Sequence, residues 1–97
     1  MQVEEGIGRY VVAIVRKTRQ APNIAWGASP RAAVSLLLCA KALAAIRGRD
    51  FVTPDDVKEI AIPVLRHRLV LRSEAEIEGV TPDQAVSGLI AQVEVPR

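Results

Sequence analysis

The sequence predicts a mainly α fold: a small four-helix bundle with at most two very short β-strands. Three observations carry this expectation. About half of the 97 residues are apolar but only Tyr10, Trp26 and Phe51 are aromatic, so the core is built from Ala, Val, Leu and Ile, as in packed helices. Apolar residues recur at helical spacing along most of the chain. Three dipeptides, Ser29-Pro30, Thr53-Pro54 and Thr81-Pro82, place a capping side chain before a proline that suits the first helical position. No linker, solenoid repeat or low-complexity run interrupts the pattern, so residues 1–97 read as a single domain.

The first helix is expected near 4–19. Ile7, Tyr10, Val11, Ile14, Val15 and Thr18 fall on one stripe, with Arg9 and Arg16 on the opposite face. QAPNIAWGA then breaks the period with Pro22, Asn23 and Gly27 and reads as a loop. The second helix runs from Pro30 to about Arg47, capped by the Ser29 side chain and ended by Gly48. Leu36, Leu37, Ala40, Leu43 and Ala44 form its core face. The other face holds Arg31, Ser35, Leu38, Ala42 and Ala45, so it is small and largely apolar; a helix apolar nearly all round is central or covered. Thr53 and Asp56 have the spacing of a reciprocal capping box for a third helix over 54–61, with Val52 and Val57 spaced as a hydrophobic staple. Pro63 should break or kink that helix near Ala61. RHRLVLR offers a short extended piece at 68–71 that could pair with a strand at 51–53, and SEAEIEG reads as a polar loop. Thr81 and Gln84 repeat the capping signature, and a fourth helix follows over 82–93.

Composition excludes several kinds of chemistry. No apolar run reaches the roughly 18 residues that span a bilayer, because Arg31 and Lys41 bracket the longest one. Glu4 and Glu5 do not suit a secretory signal or transit peptide. A lone Cys39 within an apolar helix offers no disulfide framework and suits a reducing compartment, so a cytoplasmic location is expected. One histidine, His67, cannot build a His-based metal cage and reads as a structural or surface residue between two arginines; no metal site is expected. None of Lys17, Lys41 and Lys58 follows a glycine, so the phosphate-binding loop is absent, and no strand ends in paired acids that would hold magnesium. Taken alone, the chain should neither hydrolyse a nucleotide nor bind one well.

The net charge of +2 conceals an asymmetry. Residues 1–49 carry eight Lys/Arg against two Glu, and residues 50–97 carry five against nine acids. A basic half suits an anionic partner, although two solvated faces of opposite sign account for most of these charges. The residue that stands apart is Arg31. It occupies the second position of the second helix, where backbone N–H groups, the helix dipole and the guanidinium all favour a phosphate. The alternative is a solvated first-turn cation working slightly against the dipole.

The stretch GASPRAAVSLLLCAKALAAIRGRDFVTPDDVKEIAIPVLRHRLVL resembles the C-terminal lid of the MoxR-type AAA+ ATPases. Such lids carry a Gly-Ala-Ser-Pro-Arg-Ala turn, a Gly-Arg-Asp-aromatic-Val-Thr-Pro-Asp-Asp-Val block and a Val-Leu-Arg-His-Arg-Leu block. All three stand here in that order. The Lys17-Thr18-Arg19 end of the first helix is also similar to the family's entry into the lid, and the related chelatase-type lids share the Ser-Pro-Arg turn. The resemblance implies that Arg31 is the sensor 2 arginine, which reaches the γ-phosphate of ATP held mainly by a preceding core domain. Gly27, Ala28, Ser29 and Pro30 would shape its turn, and Tyr10 or Ile7 could contact the adenine. It further implies ATP and magnesium in a parent ATPase, none expected on the isolated domain. A core domain in the same chain, a hexameric ring, chaperone-like remodelling and a von Willebrand factor A partner complete the picture. The phosphate loop, magnesium-binding acids and arginine finger of that family are missing here, so the chain reads as a fragment of a larger ATPase and, alone, as a monomer.

The rival is a freestanding helical DNA-binding or protein-interaction module using Arg9, Arg16, Lys17, Arg19 and Arg47. A recognition helix should offer polar side chains to base edges, whereas the second helix is apolar and the third acidic. Nucleic acid is therefore not the expected partner.

Overall fold

The computed structural model describes residues 3–96. Five helices and one two-stranded sheet follow in the order α1 (Glu5–Thr18), β1 (Ile24–Trp26), α2 (Pro30–Ile46), α3 (Pro54–Leu65), β2 (Val70–Leu71), α4 (Ser73–Ile77) and α5 (Pro82–Gln92). The four main helices lie where their periodicity places them. α2 packs most extensively on α3 and also on α1, while α5 closes the bundle against α3 and α1. No described helix is long and apolar enough to cross a membrane.

The core follows from the stripes. Ile7, Tyr10, Val11, Ile14, Val15 and Thr18 are the buried face of α1. α2 contributes Leu36 and the small residues Ala32, Ala40 and Ala44, and it packs on α3, which answers with Val57, Ala61 and Leu65. Gly48, at φ +77, ends α2. The Arg49 N–H reaches the Ala44 carbonyl and the Gly48 N–H the Ala45 carbonyl, each at 3.0 Å, which satisfies carbonyls the helix cannot.

Five expectations are corrected. Ile24–Trp26 is a strand rather than part of a loop, and it pairs antiparallel with β2, whose partner is therefore not the 51–53 segment. Ile24 faces Leu71 with both side chains buried, so a shared contact with the core defines the register. α3 continues through Pro63 to Leu65. Pro63 and Glu59 are both exposed, so the carbonyl that Pro63 cannot satisfy is open to water, and the fully buried Leu65 holds the last turn. Ser73–Ile77 forms a short helix rather than a loop, with Ala75 buried beneath it. Finally, Ser29 takes the extended N-cap conformation but its side chain accepts no bond from the turn it precedes.

Candidate functional site

The site is the turn from Gly27 to Arg31, and it is assembled from two helices. α1 ends on Thr18, whose side chain is fully buried. Its hydroxyl donates to the Val15 carbonyl at 2.6 Å, the back-bonding that threonine commonly makes inside a helix. With its one proton committed there, the oxygen presents a lone pair and accepts the Ala28 N–H at 2.9 Å. The next residue, Arg19, donates from Nε to the Ala28 carbonyl at 3.1 Å. Both backbone groups of Ala28, a fully buried residue, are thereby satisfied by the C-terminal end of α1.

Gly27 completes this seam. A Cβ there would lie 2.7 Å from the Arg19 backbone nitrogen and 2.8 Å from its Cα, so the two stretches approach more closely than any side chain permits. Ser29 then turns the chain into α2, its carbonyl accepting the Ala32 N–H at 2.9 Å, and Pro30 fixes the first helical φ. Arg31 follows, exposed. Among the described residues it makes no ion pair or side-chain hydrogen bond, and the first turn of α2 contains no acid. A forked cation thus stands unopposed at the positive end of a 17-residue helix, on a turn whose preceding residues are bolted down. Beyond it on the same helix, Val34 and Leu38 are 61% and 58% exposed, so the apolar face expected to be covered is open in this chain.

Of the residues predicted for the site, Gly27 to Arg31 are continuous and cooperate as described. Tyr10 is elsewhere. Its ring is 2% exposed within the core, its hydroxyl is buried without a partner among the described residues, and burial, with the nearby Asp55 charge, raises its pKa above the ordinary phenol range. Ile7 is buried in the same core. Sequence reasoning missed the work of Thr18 and Arg19. Thr18 was legible as a polar residue on an otherwise apolar stripe, but nothing local tied it to a residue ten positions on.

A groove of about 980 Å³ runs between the outer face of α1 and α2, lined by Val11, Val12, Arg16, Ala33, Val34 and Leu37 among others, but not by the Gly27–Arg31 turn. Three of the five basic residues of the nucleic-acid reading already have partners. Arg9 pairs with Glu5 at 2.5 Å, Arg47 with Glu59 at 2.6 Å, and Arg19 is committed to Ala28.

With this geometry established, comparisons with known proteins place it. The AAA lid domain family model matches residues 16–89, which include the whole seam and turn, and the chain belongs to that family. It is similar to YeaC of Bacillus subtilis (strain 168), 38% identical over 99% of this chain and 30% of that protein. It is likewise similar to Chaperone MoxR1 of Mycobacterium tuberculosis (strain ATCC 25618 / H37Rv), 36% identical over 98% of this chain and 28% of that protein. Within the family it is a C-terminal lid of the MoxR type. A crystal structure of a candidate ATPase from Cytophaga hutchinsonii superposes with a TM-score of 0.91 at 35% identity, covering 99% of this chain and 32% of that one. The chain thus spans about a third of the length of these relatives.

Proposed function

We propose that Arg31 is a sensor 2 arginine, carried by this lid to the γ-phosphate of ATP bound by an AAA+ core domain of the same polypeptide. The observation that carries the reading is the exposed, unpaired guanidinium at the second position of α2, on a turn that α1 holds in place. Hydrolysis spreads negative charge over the transferring phosphoryl oxygens, and a cation already positioned there stabilises the transition state without reorganising. The open Val34–Leu38 face suits burial against that core domain. Among the described residues no three His, Cys, Asp or Glu side chains converge as metal ligands, so in this reading magnesium falls to the core domain and the lid supplies charge and position. A Tyr10–adenine contact would need the ring uncovered by the core domain's approach, and Tyr10 takes no part in the test. Chaperone-like remodelling by a six-membered cytoplasmic ring, with a von Willebrand factor A partner, belongs to the same proposal and rests on family likeness.

The test is ATP turnover by the full-length ATPase. Arg31→Ala should lower it on the order of 10²-fold, as loss of other positioned charge donors does, with the unfolding midpoint unchanged. Arg31→Lys should recover only part, since an ammonium cannot reproduce a forked donor. Arg9→Ala and Arg16→Ala, on the outer face of α1, should turn over like the parent. A folded Arg31→Ala protein with parental turnover would refute the sensor assignment.

A further inference from the structure

We infer that Thr18 is the positioning residue of the sensor turn: its hydroxyl fastens the turn to the end of α1 and so sets where Arg31 points. This rests on the assignment of Arg31 made above. The usual device for orienting the first turn of a helix is its own N-cap side chain, and here that device is idle, because Ser29 makes no capping bond. What fixes the approach to α2 lies one residue earlier, at Ala28. Its N–H is held by Thr18 Oγ1 at 2.9 Å and its carbonyl by Arg19 Nε at 3.1 Å. Only Ser29 and Pro30 separate Ala28 from Arg31, and the proline ring removes one of the few remaining torsions.

The direction of the Thr18 bond is forced. The hydroxyl has one proton, and the Val15 carbonyl at 2.6 Å takes it. The oxygen can therefore only accept toward Ala28, and the β-branch restricts rotation that a serine would retain. Thr18 is fully buried, so water cannot replace it at Ala28. Arg19 is the weaker tie, since its exposed guanidinium can exchange the carbonyl for solvent. A shift of about 1 Å in a catalytic group can cost up to 10²-fold in rate, so a loosened turn should be felt at Arg31 rather than in the fold alone.

The experiment measures kcat and KM for ATP in the full-length ATPase carrying Thr18→Val, Thr18→Ser or Arg19→Ala, each alone and combined with Arg31→Ala. Thr18→Val keeps the shape and removes the hydroxyl. It should lower kcat about tenfold with a smaller change in KM. Thr18→Ser should return kcat to within about threefold of the parent, and Arg19→Ala should cost about threefold. The decisive expectation is non-additivity: once Arg31 is alanine, Thr18→Val should cost nothing further. Equal losses with and without Arg31 would show a structural role only and overturn the inference, as would a folded Thr18→Val protein with parental kcat. Should Thr18→Val fail to fold, Arg19→Ala, a change at an exposed side chain, carries the same test through the other half of the seam. Parental turnover by Arg31→Ala would instead defeat the sensor reading. An impaired Arg31→Ala beside an unimpaired Thr18→Val would defeat this inference alone.

Discussion

Three helices in this lid open with a Ser/Thr-Pro pair, but α2 is built differently from α3 and α5. Thr53 accepts the Asp56 N–H at 3.2 Å while Asp56 accepts the Thr53 N–H at 2.9 Å. Thr81 and Gln84 make the same exchange at 3.2 and 3.1 Å. Each of these starts satisfies itself within four residues. The α2 start has Ala32 where the others have Asp56 and Gln84, so no reciprocal bond is possible, and its support comes from Thr18 and Arg19 on another helix. The dependent one carries Arg31, exposed, in its first turn.

The largest stability effect should come from the α3 start, whose capping box is also tied to Arg49. Asp56 is fully buried and takes both arms of Arg49, at 2.5 and 2.6 Å, in addition to its cap. The Arg49 hydrogen bonds, with the Thr53 cap, hold its carboxyl far below the usual carboxylate range against the opposing cost of burial. Asp56→Ala removes the cap and leaves Arg49 without its anion, and should destabilise the chain by roughly 3 kcal/mol in thermal unfolding. The pH dependence follows from the sign of the shift. A depressed carboxyl contributes stability that is complete above the unfolded value of about 4 and is lost as pH falls below it. The parent should therefore lose stability below about pH 4 more steeply than Asp56→Asn; parallel acid limbs would show that Asp56 does not titrate with folding.

What could be read from sequence divides along the same line. Thr53-Asp56 and Thr81-Gln84 were legible because both partners lie within one turn, and Gly48 because a helix end is a local event. Arg31 was legible as a position, the second residue of a helix, without any contact being known. The rest depended on distance in the chain. Arg49 was not read as the partner of Asp56, because an arginine just past a helix end has no fixed direction until the α2–α3 turn is folded. The β1–β2 pairing joins residues more than 40 positions apart through two- and three-residue strands, too short for alternation to register. α4, with five residues, lies below the length at which helical period can be recognised, and its burial of Ala75 depends on tertiary contact.

A smaller effect is expected at the solvent-exposed cap of α5. Thr81→Ala leaves the Gln84 N–H to water and should cost about 1 kcal/mol, or a fall of several degrees in the unfolding midpoint of a chain this size. A midpoint unchanged within a degree would mean that the box is not formed in solution.

The smallest effect should be at Ser29, the one N-cap of the three whose side chain makes no capping bond. Ser29→Ala should change stability by less than about 0.5 kcal/mol, the range of an ordinary surface substitution, and should leave ATP turnover by the full-length ATPase unchanged. At Thr53 and Thr81 the hydroxyl has a backbone N–H within 3.2 Å, whereas the Ser29 side chain has none in the turn it precedes, and the Ala28–Ser29 approach is already fixed from α1. Nor could the missing half of a capping box be installed opposite it. Ala32 is fully buried, so a glutamate there would be forced into the core. Measured beside Thr81→Ala, a loss at Ser29 as large as the loss at Thr81 would show that Ser29 caps α2 after all. The turn would then support itself, and the dependence on Thr18 that distinguishes this helix start from the other two would disappear.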